Sequence, residues 1–290
     1  GDGGSDIVGQ VAQLGEKLRF RLDKIKYKIA LMSGKGGVGK SSITANIASC
    51  LADRGNRVGI LDADLNGPSI GHLLGVGNDV KLDMKEDGLE PGIGYQGIRI
   101  MSMDMLLKTA DTPVMWTDAD DATASWVSIM ESTATRELMA DTNWGELDYL
   151  LIDIPPGTDK IGRFLDLVSE PDQVLLVTIP SEVASSVVSR SATQLKEAGV
   201  ACMGVVGNMS GYAQPGGGDL LPLFTGPDVS DVAESAGLEL WAEIPFDPAF
   251  GTLTDQGAPP GSDGDSAAAR AFAALAERVE QGPGGRESQR

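Results

Sequence analysis

Residues 33–42 of the chain read Ser33-Gly34-Lys35-Gly36-Gly37-Val38-Gly39-Lys40-Ser41-Ser42. They match the phosphate-loop pattern, in which a glycine and four further residues precede Gly-Lys-Ser or Gly-Lys-Thr. Its glycines let the backbone curl until consecutive N–H groups point at phosphate oxygens, and the following helix N-terminus adds partial positive charge. We therefore predict that Gly34 to Ser42 bind a nucleotide, that Lys40 reaches its β- and γ-phosphates, and that Ser41 ligates Mg²⁺.

The residues on either side of this loop favour the same interpretation. The apolar run from Lys28 to Met32 predicts a short buried strand, and residues 42–51 carry apolar side chains at helical spacing. A glycine-rich turn without a ligand is the alternative. It is disfavoured because the pattern, its lysine and both flanking elements agree.

Composition limits the partners of the chain. The 290 residues include 42 acidic and 23 basic side chains, and the net charge is −19. This charge opposes binding to nucleic acid and to an anionic membrane surface, so we predict neither as a partner. Cys50 and Cys202 lie in apolar runs, which excludes a disulfide framework and is typical of a reducing cytosol. No signal core or membrane span is evident, and we expect a cytoplasmic protein. The acidity could also reflect a saline habitat or serve solubility.

The predicted organisation is one large domain with two short flanks. Residues 1–26 form an N-terminal extension, where apolar residues at helical spacing from Ile7 to Ile25 predict an amphipathic helix. This helix either packs on its own domain or contacts a partner. Residues 27–281 form an α/β nucleotide-binding domain, and residues 282–290 are predicted to be a disordered tail.

Carboxylates follow two further apolar runs. Residues 57–61 predict a buried strand that ends in Asp62-Ala63-Asp64, and residues 149–152 predict a central strand that ends at Asp153. Open α/β sheets bind their ligands at the carboxyl ends of strands, where such carboxylates hold Mg²⁺ or orient an attacking water. The alternative is that these acids only solubilise the strand ends.

The second half of the chain continues the pattern. Ser181 is a predicted N-cap for a helix that ends near Lys196. Asn208 follows a strand predicted at residues 200–206, and its amide can both donate to and accept from a purine edge. A turn asparagine is the alternative. The remaining predictions are strands at 97–103, 173–179 and 238–244, helices at 124–140, 228–236 and 266–281, and irregular structure at 76–91.

Three strings of this sequence resemble the Mrp/ApbC family of the MinD/Mrp class, which has a second lysine early in its phosphate loop. The strings are Lys35-Gly36-Gly37-Val38-Gly39-Lys40-Ser41, Asp62-Ala63-Asp64-Leu65-Asn66-Gly67-Pro68-Ser69 and Asp153-Ile154-Pro155-Pro156-Gly157-Thr158. The resemblance implies a doubly wound, mostly parallel sheet of seven or eight strands. It also implies Mg²⁺-dependent hydrolysis of ATP by a homodimer that meets at the nucleotide face.

The same resemblance implies roles for individual residues. Lys35 would cross to the partner's nucleotide and act in catalysis with Lys40, and Asp64 would orient the attacking water. Asp62 and Asp153 would join Ser41 at the Mg²⁺ site. Gly157 would offer its N–H to the γ-phosphate and Asn208 would contact adenine. Pro245 and Asp247, in Pro245-Phe246-Asp247-Pro248, would belong to a loop that closes over the base, although a plain surface turn is a fair alternative there.

This chain departs from the family at three places. The family's Arg-Gly-Pro after Trp116 is replaced by Thr117-Asp118-Ala119, and Asp159-Lys160 follow Thr158 in place of Gly-Asp. The family's cluster-binding Cys-Pro-x-Cys is replaced by Gln214-Pro215-Gly216-Gly217. Neither an amide nor a glycine is a soft ligand, so we expect no iron–sulfur cluster on this chain alone.

Three functions remain open from the sequence. The first is a dimeric ATPase whose hydrolysis switches its grip on a client protein in metallocofactor or iron–sulfur protein maturation. The second is a nucleotide-gated scaffold or regulator with little turnover. The third, a MinD/ParA-like positioning ATPase, is opposed by the net charge and by a final helix that lacks a basic face and a bulky apolar face.

Overall fold

An eight-stranded sheet forms the centre of the molecule. The computed structural model describes residues 7–64, 69–76, 83–85, 87–102, 105, 133–158, 173–214, 219–248, 253 and 266–282. Residues 283–290 of the predicted tail, residues 124–132 of the predicted helix and the departures at 117–119, 159–160 and 215–217 lie outside these ranges. The strands are β1 (Ile25–Met32), β2 (Val58–Asp62), β3 (Asp83–Lys85), β4 (Gly88–Glu90), β5 (Gly92–Ile93), β6 (Arg99–Ser102), β7 (Leu147–Asp153), β8 (Gln173–Thr178), β9 (Cys202–Tyr212) and β10 (Leu240–Phe246).

The strand order is β10-β9-β8-β1-β7-β2-β6-β5, and β3 pairs with β4 in a separate hairpin. All neighbours in the large sheet are parallel except β5 and β6. Strands β2, β7 and β8 are buried along nearly their whole length, as a parallel sheet covered on both faces requires. The predicted mostly parallel sheet of seven or eight strands is confirmed.

Helices connect the strands, and the chain crosses the sheet in opposite directions in its two halves. The helices are α1 (Ile7–Leu22), α2 (Lys40–Asp53), α3 (Ile70–Leu73), α4 (Ala184–Glu197), α5 (Val229–Ser235) and α6 (Ala267–Gln281), and residues 133–141 are also helical. The chain moves one way along the sheet from β1 to β2 and the other way from β8 to β9. Because parallel crossovers are right-handed, α2 and α4 lie on opposite faces. The sheet is therefore doubly wound, with its switch point beside β1.

The first helix ends three residues earlier than its periodicity predicts. Leu18 and Leu22 of α1 join the apolar core, whereas Asp23 and Lys24 turn the chain into β1. No helix within the described residues is both long and apolar enough to cross a bilayer.

Two predicted loops are strands instead. Residues 76–91, predicted to be irregular, include the hairpin of β3 and β4. Pro245, predicted to lie in a loop, is a buried residue within β10. Strand β10 is at the edge of the sheet, where a residue without an N–H costs no ladder hydrogen bond.

The predicted N-cap of α4 is also wrong. The helix begins at Ala184 after Val183, which has no capping side chain. Two residues earlier, the Ser181 hydroxyl accepts a hydrogen bond from the Lys35 ammonium at 3.1 Å. The hydroxyl is thus engaged by a distant lysine that local sequence rules do not consider.

Candidate functional site

The phosphate loop connects the carboxyl end of β1 to the first residue of α2. Gly37 and Gly39 adopt left-handed conformations, with φ of 77° and 80°. A Cβ at Gly39 would also lie 2.2 Å from Nδ2 of Asn208. Gly39 is therefore required both by its backbone conformation and by the close approach of β9.

Asp153 binds the polar side chains at the start of α2. It is fully buried at the end of β7, and the Lys40 ammonium, only 5% exposed, forms an ion pair with Oδ1. The Ser41 hydroxyl donates to Oδ2 at 2.6 Å, and the Thr44 hydroxyl lies 3.2 Å from Oδ1. A buried carboxylate needs such partners, so this cluster is held firmly. Thr44 was not predicted as a site residue, although its position four residues after Lys40 places both residues on one helix face.

Asp62 lies beside Asp153 on the neighbouring strand. The two residues are in register between β2 and β7, and Asp62 is 1% exposed. Its carboxylate accepts from the backbone N–H of Asp64 at 3.2 Å and of Ile70 at 3.4 Å. Burial, and then the charge of Asp153, raise the pKa of Asp62 to about 7. Two buried carboxylates on adjacent strand ends form a place where a cation is favoured.

A cleft of about 250 Å³ opens in front of these groups. Asp64 lines this cleft together with the phosphate loop, and its role in orienting water stays a prediction. Ser69 and Pro156 also line it and were not predicted. The lining consists of Ser33, Gly36, Gly37, Val38, Gly39, Lys40, Ser41, Ser42, Asp64, Ser69 and Pro156.

Several predicted residues are not among those that line the cleft, and four of them are Gly34, Gly157, Pro245 and Asp247. A Cβ at Gly34 would come 1.8 Å from Cγ1 of Val187, so this glycine allows the loop to pack against α4. The N–H of Gly157 donates to the carbonyl of Ser33 at 3.0 Å. Pro245 and Asp247 follow Ile244, which pairs with Asn208 across β10 and β9. Their predicted roles at the γ-phosphate and the base stay predictions.

Asn208 is buried against the phosphate loop. It is 8% exposed, and its Nδ2 donates to the carbonyl of Val38 at 2.9 Å. The predicted strand end is wrong, because β9 continues to Tyr212. The asparagine therefore joins β9 to the loop, and adenine contact stays a prediction.

The fold and the loop together define the class. The sheet is doubly wound and carries a Gly-x-x-x-x-Gly-Lys-Ser loop at its switch point. An aspartate at a strand end contacts the lysine and the serine of this loop. These features define a P-loop NTPase.

Comparison with known proteins identifies the family. The chain belongs to the NUBPL iron-transfer P-loop NTPase family, whose model matches residues 24–280. An iron-sulfur cluster carrier protein of Saccharolobus solfataricus is 38% identical over 251 residues, which cover 86% of this chain and 81% of the relative. A cytosolic Fe-S cluster assembly factor NUBP2 homolog of Culex quinquefasciatus is 36% identical over 81% of this chain and 90% of its own length.

A solved structure agrees with this assignment. A nucleotide-binding protein of Archaeoglobus fulgidus in complex with ADP is 37% identical, with a TM-score of 0.70 over 83% of this chain and 90% of that one. The resemblance to the Mrp/ApbC family is confirmed.

Proposed function

We propose that this protein binds Mg²⁺–ATP in the cleft before the phosphate loop, hydrolyses it as a homodimer, and uses the cycle to serve a client in iron–sulfur protein maturation. The observation that carries the proposal is the convergence of Lys40 and Ser41 on the buried Asp153. The names of the relatives, cluster carrier and cluster assembly factor, support the process. The second of these names also supports a cytoplasmic location.

The residues present fit Mg²⁺. Ser41 supplies a hydroxyl and Asp153 and Asp62 supply carboxylates, which are the oxygen ligands that this ion prefers. The register of the sheet supports the assignment, because it sets Asp62 directly beside Asp153 at the ends of neighbouring strands. When bound, Mg²⁺ neutralises the β- and γ-phosphate oxygens.

Lys40 has to exchange partners when the nucleotide binds. Its ammonium neutralises Asp153 in the isolated chain, and the same ammonium would neutralise the phosphates. The exchange keeps one positive charge paired with anionic oxygen throughout, so the buried lysine is never left uncompensated. Asp64, which also lines the cleft, would orient the water that attacks the γ-phosphate.

The chain's thiols do not fit a resident iron–sulfur cluster. The two thiols are on separate elements, Cys50 within α2 and Cys202 within β9, and burial raises the pKa of each. Iron–sulfur clusters need thiolates. We therefore propose that a cluster handled by this protein is cargo whose thiolate ligands come from the client.

Paired variants test the nucleotide site. Lys40→Ala should abolish ATP binding, because it removes the charge that meets the phosphates. Asp64→Asn keeps the shape of its side chain and should bind ATP while turnover falls at least about tenfold, within the range lost with a general base or water-orienting group. Titration with a fluorescent ATP analogue and phosphate release measure the two effects.

Lys196→Ala is the matched control, because this lysine is exposed in the last turn of α4 and is far along the chain from the loop. It should leave both quantities unchanged. Wild-type ATP affinity in Lys40→Ala would refute the site, whereas binding without measurable turnover in the wild type would favour the gated scaffold.

A further inference from the structure

A second cavity lies at the amino ends of the central strands. We call it the basal cavity. It has a volume of about 310 Å³ and is lined by the end of α2 and by the first residues of three neighbouring strands, Val58 of β2, Arg99 of β6 and Leu147 of β7. The nucleotide cleft is at the carboxyl ends of the same strands, and the five residues of β2 span about 16 Å. The basal cavity is therefore a separate place for a ligand.

Arg99 brings a positive charge to this cavity without an acidic partner. Its Nη1 donates to the carbonyl of Trp144. Within the part of the chain that the structure describes, no carboxylate forms an ion pair with it. Gly145 makes room for the guanidinium, because its φ is 61° and a Cβ there would overlap Nη1. A guanidinium has five N–H donors in a planar fork that fits carboxylate and phosphate oxygens, so most of the fork is available to a ligand.

The charged groups around the basal cavity favour an anion. Arg57 also lines it, and its Nε donates to Asp148 at 3.1 Å and its Nη1 to Glu146 at 2.7 Å. The ammonium of Lys26 pairs with Asp148 at 2.7 Å. Together with Arg99, three cations are therefore grouped with two carboxylates. This local excess is opposite in sign to the net charge of −19, and it attracts small anions to this end of the sheet.

Two features oppose an anion, and both are weak. The first is the carboxylate of Glu146, which lines the cavity but is 76% exposed, so its ion pair with Arg57 holds it only loosely. The second is the partial negative charge at the end of α2. The carbonyl of Ala52 there already accepts from the N–H of Gly55 at 2.8 Å, which offsets part of this charge.

The remaining walls suit a ligand with a short apolar part. Val58 and Leu147 are almost fully buried and line the cavity with apolar atoms. Gln96, which is exposed, lines it with an amide and has a φ of 49°. Residues other than glycine are strained in this left-handed conformation, and such strain is concentrated at ligand sites. The volume is at the lower end of the range for small-molecule pockets.

We propose that the basal cavity binds a small organic anion, whose carboxylate or phosphate group is held by the Arg99 guanidinium and whose carbon atoms contact Val58 and Leu147. The anion gives Arg99 the acidic partner that the described residues do not supply. Arg57 adds positive charge, although most of its donors are engaged by Asp148 and Glu146. This site is independent of the nucleotide cleft and does not require ATP.

Calorimetric titration with succinate and with glycerol 3-phosphate tests the site. Ionic strength is kept constant, and excess Mg²⁺–ADP keeps the second probe from the phosphate loop. Arg99→Gln removes the cation, and Glu146→Gln removes the opposing carboxylate. Arg54→Gln is the matched control, because this arginine is nearby at the end of α2 and pairs with Glu280 but does not line the cavity.

We expect at least one probe to bind the wild type, with a dissociation constant that Arg99→Gln raises roughly tenfold or more. Glu146→Gln should lower this constant about threefold, and Arg54→Gln should keep it within about twofold. Binding of one probe alone identifies the anionic group as carboxylate or phosphate. Circular dichroism checks folding, and the tightening by Glu146→Gln decides if Arg99→Gln does not fold.

Three results would overturn this inference. The first is that neither probe binds the wild type or Glu146→Gln. The second is an unchanged dissociation constant in Arg99→Gln, which would place the anion elsewhere. The third is an equal loss in Arg99→Gln and Arg54→Gln, which would mean that only the overall charge of this end of the sheet matters.

Discussion

Asp153 shows how far single residues can be assigned from the sequence. Ser41 and Asp153 were both predicted at the Mg²⁺ site, because loop and strand end have fixed places in a parallel sheet, and the structure brings their side chains together. The ion pair of Lys40 with Asp153 was not predicted. The contacts of Lys35 with Ser181 and of Asn208 with Val38 could not be predicted. They join residues more than 140 positions apart through side-chain directions that no local pattern encodes.

Lys35 provides a prediction at this scale. Lys35→Ala should keep ATP affinity within about threefold and lower turnover at least about tenfold, because the proposed role of its charge lies in the assembled transition state. Ser181→Ala removes only the same-chain partner of the lysine and should keep turnover near wild type. Phosphate release and nucleotide titration measure both, and an equally large loss in Ser181→Ala would show that the same-chain contact is the active one.

At the scale of elements, the apolar runs of β2, β7 and β8 predicted buried strands correctly, while several ends were wrong. Strand β9 continues past Asn208 and β10 includes Pro245 because each pairs with the other at the sheet edge. Hydrophobic periodicity does not show which distant segments pair with each other.

Ion pairs connect the amino ends of neighbouring strands. Asp148 of β7 accepts from the Arg57 backbone at 2.9 Å and pairs with Lys26 at 2.7 Å.

Asp148 therefore predicts a pH effect on stability. Its hydrogen bond from Arg57, followed by that from Lys26, holds the pKa of its carboxyl well below the usual range. The resulting stabilisation is present above the unfolded pKa of about 4 and is lost as the pH falls below it. At pH 7, Asp148→Asn should lower Tm by about 2–4 °C, the change that about 1 kcal/mol causes in a domain of this size.

Thermal melts between pH 7 and pH 2.5 should show the difference between wild type and Asp148→Asn shrinking below about pH 4. Glu146→Gln is the control, since this carboxylate also pairs with Arg57 but its side chain is 76% exposed. It should have little effect. A difference that stays constant with pH would mean that Asp148 acts through shape and not through charge.

At the scale of the whole molecule, the mostly parallel, doubly wound sheet and the family were predicted from the sequence, while the exposed apolar segment at residues 220–224 was not. Its leucines follow a loop in the sequence, and only the contact with Tyr212 shows that they are fixed and exposed. The net charge of −19 predicts that salt favours association. High ionic strength shortens the range of the repulsion between charges to a few ångströms, while apolar contacts are not screened.

The positions of the two cysteines predict the outcome of iron–sulfur cluster reconstitution. Anaerobic incubation with iron and sulfide should leave no stable cluster on the wild type, because its two cysteines are on separate elements, Cys50 buried in α2 and Cys202 partly buried in β9. Gln214→Cys with Gly217→Cys should gain one, since it restores paired thiolates. Iron analysis and visible absorption measure both. A near-stoichiometric wild-type cluster that is lost on Cys50→Ala or Cys202→Ala would contradict the prediction.

The central position of β1 has a consequence for the dynamics of turnover. This strand is paired on one side with β7 and on the other with β8, so its amide hydrogens are protected on both edges. Exchange of the amides at Ala30 and Leu31 with deuterium should then require opening of the entire sheet. The phosphate loop, which leaves the end of this strand, can change shape with each nucleotide while its origin stays among the slowest-exchanging backbone of the molecule.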